Sequence, residues 1–220
     1  MNDAQKDVAA LIQDYFRRGD YQGWFEEVYA RADRGQGLIP WAYRAPAPLL
    51  TTWAERANLS GAGRTALVVG CGLGDDAEYL SQLGFQVTAF DIARTAIRLC
   101  NERFLFSRVD YFEANLLDVM PNWREAFDFV LEHRTIQSLP WHFAEPAIAA
   151  IANYVAPGGT LLVICHGRDP EQERRGIPWP LSRNELDQFL AYGLDEKRFE
   201  DFVASDSERR TFRVEYQRPR

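Results

Sequence analysis

An α/β fold is predicted for this chain of 220 residues: a mostly parallel seven-stranded sheet, a C-terminal antiparallel hairpin and an N-terminal helical cap. Three features predict it. From Thr65 onward, short apolar runs alternate with helix-spaced patterns, as in βαβ units. The last two β-like runs lie too close together for a crossover helix. Before Thr65, apolar residues recur at three- and four-residue intervals, which places them on helix faces.

In order along the chain, Val8, Leu11, Ile12, Tyr15 and Phe16 share one face of a first helix. An apolar-aromatic segment, Trp24 to Ala30, runs into the polar loop Arg34-Gly35-Gln36-Gly37, and Pro46 to Leu59 reads as a further helix ended by Ser60-Gly61. Five strands follow, at Ala66–Val69, Gln86–Phe90, Val109–Phe112, Phe127–Leu131 and Thr160–Cys165. Helices fall between them at Asp76–Leu83, Ala93–Arg103 and Ala144–Val155, the last stopped by Pro157-Gly158-Gly159. Ser182 and Glu185 form a capping-box start for a helix to Ala191. Arg198–Val203 and Thr211–Tyr216 make the hairpin. One domain is expected, with 1–62 as the cap and 63–220 as the core.

Composition narrows the function. With 46% apolar and 26% charged residues the chain is an ordinary globular one. Its 25 Lys+Arg against 32 Asp+Glu give a net charge of −7, which argues against affinity built on neutralising nucleic-acid phosphates. Cys71, Cys100 and Cys165 show neither disulfide-framework nor zinc spacing, so no metal is expected and a reducing, cytoplasmic setting fits. No apolar run approaches the roughly 18 residues of a membrane span. A monomer or weak homodimer acting on a small molecule is expected.

The chemistry-bearing motif is Val68-Val69-Gly70-Cys71-Gly72-Leu73-Gly74-Asp75-Asp76, which joins the first strand to the next helix, where open parallel sheets bind ligands. Glycines there let a ligand approach the backbone. Asp91, closing the second strand 21 residues after Gly70, is placed to accept both hydroxyls of a ribose. Where a dinucleotide fingerprint has its third glycine this chain has Asp75, whose charge would face a pyrophosphate. S-adenosylmethionine, carrying an ammonium and a sulfonium, is favoured by nearby acids instead.

These motifs resemble the class I S-adenosylmethionine-dependent methyltransferases over Thr65 to Arg220. V-V-G-C-G-L-G is similar to their first motif, F-D-I (Asp91, Ile92) to their ribose acid, E-A-N-L-L-D with Asn115 and Leu116 to the turn beside the adenine, and A-P-G-G-T-L-L-V-I to their fifth strand. Val68 stands where many members have an acid, so the methionine end must lean on backbone groups and Asp75 or Asp76. A narrower resemblance, carried by W-F-E-E-V-Y, I-P-W and G-I-P-W-P-L-S-R-N-E-L, is to the thiopurine, thiol and halide methyltransferase branch. It implies a helical cap, Trp24 and Trp41 enclosing the donor, S-adenosylhomocysteine as product and a thiol-like acceptor. Nitrogen or oxygen methylation, an NAD-dependent oxidoreductase and a non-catalytic donor-binding protein are the alternatives.

Gly70, Cys71, Gly72, Gly74 and Asp76 are therefore candidates for shaping the donor site. Methyl transfer needs alignment, a dry pocket and a free lone pair. Glu132 and His133, just after the fourth strand, are candidate catalytic groups, with Glu132 also a candidate donor contact. Histidine is the side chain whose ordinary titration reaches neutral pH. Arg134 either orients an anionic substrate or pairs with Glu132. Tyr15, Tyr29, Trp141, His166 and Trp179 are candidate substrate contacts, although helix packing accounts for Tyr15 and core filling for Trp179. Cys165 and His166 are adjacent on a strand and point to opposite faces, against a metal or nucleophile pair. The charged runs Glu171–Arg175 and Asp206–Arg210 read as solvated loops.

Overall fold

The computed structural model describes residues 3–118, 120–174, 176–203 and 210–220. Three helices precede the sheet: α1 (Asp3–Arg17), α2 (Gly23–Asp33) and α3 (Pro48–Arg56). The sheet strands are β1 (Thr65–Val69), β2 (Gln86–Asp91), β3 (Asp110–Glu113), β4 (Phe127–His133), β5 (Val155–Gly167), β6 (Asp195–Val203) and β7 (Arg210–Gln217). Between them lie α4 (Asp75–Gln82), α5 (Arg94–Arg103), α6 (Ala144–Tyr154) and the short α7 (Arg183–Leu186) and α8 (Gln188–Ala191). The spatial order is β3-β2-β1-β4-β5-β7-β6. All pairings are parallel except those of β7 with β5 and β6.

Side-chain alternation builds a three-layer core, because successive strand residues face opposite sides of the sheet. On one side, Leu67, Val69, Val130, Leu161 and Val163 pack with Ala147, Ile148 and Ile151 of α6 and with Phe189 of α8. On the other, Ala66, Val68, Phe129, Leu131 and Ile164 pack with Leu50 and Trp53 of α3 and with Ala77 and Leu80 of α4. Trp53 stacks on Phe129 at 5.4 Å between centroids and donates its indole N–H to Glu215 at 2.9 Å. Burial on both faces explains why these strands read as continuous apolar runs.

Two elements depart from the expected ones. The helix expected to Val155 ends at Tyr154, and the Pro157-Gly158-Gly159 turn lies within β5 rather than before it. There β5 bulges: Phe127 pairs with Val155 but Phe129 with Thr160. Gly158 takes a left-handed φ of 79°, which a glycine adopts without strain. The capping box is formed, with Ser182 N–H donating to Glu185 at 2.7 Å, yet the helix it opens breaks at Asp187 into α7 and α8. No helix among the described residues is long and apolar enough to cross a membrane.

Candidate functional site

A cavity of about 860 Å³ opens along the carboxyl ends of β1, β2, β4 and β5, beneath the segment 8–48. Its floor is the glycine loop. Gly70 and Gly72 are left-handed (φ 60° and 56°), and a Cβ on Gly70 would collide with the Thr135 hydroxyl, which bonds the Val69 carbonyl at 3.0 Å. A Cβ on Gly72 would press on the Tyr29 hydroxyl at 3.1 Å. Glycine at both positions is thus dictated by backbone and neighbour together. Gly74 initiates α4 with φ 85° and does not line the cavity.

Asp91, at the end of β2, is 6% exposed and organises this floor. One carboxylate oxygen accepts the Gly72 N–H and the other the Ala93 N–H, each at 2.9 Å. Burial pushes its pKa up to about 6, although those backbone N–H groups pull the other way. With the Gly72, Ala93 and Ile92 N–H groups on it, the carboxylate still keeps acceptor capacity for a ligand hydroxyl. Ile92, Asn115 and Leu116 continue the wall from Asp91. Cys71 lines the floor as a neutral thiol, its pKa raised by the neighbouring Cys100 thiol and by burial.

The helical segment seals the other side. Trp24 and Trp41 line the cavity and meet edge to face at 6.1 Å, and the Trp41 indole N–H donates to Tyr29 at 2.9 Å. Tyr29, a candidate acceptor contact, therefore sits over the glycine loop. The cap is tied to the core by polar pairs that the sequence alone did not reveal. Gln22 and Asn115 exchange amide hydrogen bonds at 3.2 and 3.3 Å, and Glu26 accepts the Thr95 N–H and hydroxyl at 2.9 and 2.5 Å. Such pairs join residues far apart in the chain and leave no local pattern.

At the end of β4, His133 Nδ1 lies 2.8 Å from Asp76, whose other oxygen accepts the Ala47 N–H at 2.7 Å. A carboxylate partner makes Nδ1 a donor, so in the neutral ring Nε2 is the acceptor. Both residues line the cavity. Glu132, by contrast, is not among the lining residues. It is wholly buried on the α6 side, where one oxygen accepts the Thr135 and Ile136 N–H groups at 2.6 and 3.0 Å and the other has no partner. Burial raises its pKa to about 7. A strand residue beside His133 must face the opposite side of the sheet, so Glu132 supports the turn that presents His133, Arg134 and Thr135.

Arg134 and His166 line the cavity, as does Arg210 of β7, which had read as part of a solvated run. Arg210 pairs with Asp169 and Asp201; residues 206–209 of that run lie outside the described residues. Arg174 likewise is no free loop charge: it binds Glu185, as does Arg168, and covers the Trp141 ring; Arg175 lies outside the described residues. Trp141 and Trp179 do not reach the main cavity and instead line a neighbouring one of about 390 Å³ with Phe16 and Tyr21. Tyr15 lines neither and packs in the α1–α2 cluster. Asp75 lies at the wall, but Arg103 holds its carboxylate at 2.8 and 3.2 Å. Its charge is compensated, so the argument that Asp75 repels a diphosphate falls.

The donor set fits an adenosine carrying a cationic side chain. A buried carboxylate with spare lone pairs faces the floor, the glycines clear the backbone, and Asp76 and Asp91 supply negative charge. Among the described residues no three metal-ligating side chains cluster.

Comparison with known proteins agrees with this geometry. The family model of a methyltransferase domain matches residues 66–159. A ubiquinone biosynthesis O-methyltransferase of Xanthomonas axonopodis pv. citri (strain 306) is 34% identical over 118 residues, 52% of this chain and 48% of that protein. The chain thus spans about half the length of the curated relatives it matches. Among solved structures, one determined for the conversion of a disulfide bond into a thioacetal group during echinomycin biosynthesis superposes with a TM-score of 0.71 at 20% identity, covering 88% of this chain and 91% of that one. The N-methyltransferase NodS of Bradyrhizobium japonicum, in complex with S-adenosylhomocysteine, gives 0.66 at 17% identity, covering 82% and 92%. The fold is that of the class I methyltransferases, and the segment holding the glycine loop, Asp91 and His133 is the one that matches the methyltransferase-domain family.

Proposed function

We propose that this chain is an S-adenosylmethionine-dependent methyltransferase of small molecules. The observation that carries it is a single cavity with a ribose-type carboxylate, Asp91, at one end and the His133–Asp76 pair at the mouth of the sheet. Bound S-adenosylmethionine supplies an electrophilic methyl group on a sulfonium. Asp91 would hold the ribose, Asn115 and Leu116 the adenine, and the Gly70–Gly72 backbone the methionine end. Trp24, Trp41 and Tyr29, from the cap at 1–62, would exclude water, which strengthens alignment and protects the transfer.

His133 would take the proton of the acceptor at Nε2 while Asp76 holds the ring. Such a base suits an acceptor that loses a proton on methylation, S–H or O–H. A thiol is the first reading, supported by the narrower motif resemblance and by the apolar, aromatic wall. A hydroxyl is the second, supported by the O-methyltransferase relative. Titration calorimetry with S-adenosylhomocysteine, with NAD in parallel, tests the assignment: micromolar binding of the first alone is expected, and binding of NAD alone, or of neither, overturns it.

A further inference from the structure

The cavity carries charge of both signs. Asp91 stands at the glycine-loop end and Asp76 holds His133 at the end of β4, whereas Arg134, His166 and Arg210 line the cavity where β4 and β5 end and β7 begins. The Arg134 N–H bonds the Ile164 carbonyl of β5 at 3.0 Å, and Arg210 pairs in register with Gly167. The two arginines differ in one respect. Arg210 is held between Asp169 and Asp201. Among the described residues the Arg134 guanidinium has no hydrogen bond or ion pair, and its Nε is buried without a partner. Glu132, two residues away, feels the Arg134 charge but makes no direct ion pair or hydrogen bond with it, and one Glu132 oxygen is buried without a partner.

Arg134 is also strained. Its φ of 65° is left-handed, a region that is costly for a non-glycine residue and persists where function or packing demands it. That backbone follows from the turn that Glu132 caps, and it brings Arg134 to the cavity immediately after His133. With its Nε buried and no direct hydrogen bond made by the rest of the half-buried guanidinium, Arg134 keeps donor capacity for a ligand in the cavity.

We infer that the methyl acceptor carries a carboxylate, which Arg134 binds beside His133. A guanidinium that makes no direct hydrogen bond or ion pair is free to take an anion, and its planar fork matches a carboxylate's two oxygens. The same pair would fix the acceptor's orientation and set the nucleophile toward His133 and the donor. This inference rests on the methyltransferase reading and narrows its substrate class.

The test is a binding experiment on the protein loaded with S-adenosylhomocysteine. Matched probes differ only in charge: 4-mercaptobenzoate against 4-mercaptobenzamide, and 4-hydroxybenzoate against 4-hydroxybenzamide, titrated calorimetrically. At least one acid is expected to bind tenfold or more tightly than its amide. Arg134→Gln is expected to bring that ratio to about one, and Arg134→Lys to retain most of it. Equal affinities of acid and amide in the native chain, absence of binding by any acid, or a ratio unchanged in Arg134→Gln overturns the inference. The native-chain ratio requires no variant to fold. Failure of S-adenosylhomocysteine itself to bind would overturn the methyltransferase reading instead, so the two failures are distinguishable.

Discussion

At the residue scale, three buried or paired groups carry testable consequences. His133→Ala removes the proposed base, and turnover with the acceptor is expected to fall by about 10²–10⁴-fold. S-adenosylhomocysteine affinity should change far less; unaltered turnover at every pH would mean that alignment alone suffices. Burial disfavours the Asp91 charge and pushes its pKa up to about 6. Hydroxyl donors favour the ionised form, so a ligand binding below pH 6 must displace a proton. Calorimetry is expected to find S-adenosylhomocysteine about tenfold weaker at pH 5 than at pH 7. Glu132 has the opposite consequence for stability. Its pKa in the fold, about 7, exceeds its usual carboxylate value, so the unfolded chain ionises first and folding is penalised progressively from about pH 4.5 to 7 and fully above that. Glu132→Gln, which keeps an oxygen for the Thr135 and Ile136 N–H groups, should therefore raise the thermal midpoint at pH 8 and change it little at pH 4.

At the element scale, the β1–α4 turn and α2 carry the site. Gly70→Ala places a methyl against Thr135 and forces a left-handed alanine, and a loss of about 1–3 kcal/mol is expected by chemical denaturation, with donor-site affinity falling too. Gly74, outside the cavity, shapes the start of α4 instead. How much of this was legible follows the range of the interactions involved. The glycine loop and Asp91 lie within 22 residues of each other and imposed their geometry locally. The Gln22–Asn115, Glu26–Thr95 and Asp76–His133 pairs span 93, 69 and 57 positions, so only folding brought them together. The β5 bulge was missed because Pro-Gly-Gly reads equally as a stop or as an irregular strand.

At the scale of the whole molecule, the cap and sheet form one body around the cavity. Tight packing of two core layers on either side of the sheet leaves the carboxyl edge as the place where a ligand adds stability. At a concentration 100 times its Kd, S-adenosylhomocysteine should stabilise the fold by about 2.7 kcal/mol, raising the thermal midpoint by roughly 5–10 °C for a chain of this size. A scanning-fluorimetry series in which the midpoint does not move would place the ligand elsewhere than on the folded protein.

What the amino-acid sequence determined by itself was the periodic and the local. Alternating apolar runs set the order of strands and helices and the closing hairpin, and the local motifs set the glycine loop and the acid that closes β2. Period and turn chemistry act between near neighbours, so they are written along the chain. Tertiary structure alone decided which side each residue faces and which charges are already compensated. It turned Glu132 inward while presenting His133, neutralised Asp75 with Arg103, drew Arg210 into the cavity and left the Arg134 Nε buried without a hydrogen-bond partner. Charge compensation depends on distance and burial, and neither exists until the sheet has brought its strand ends together.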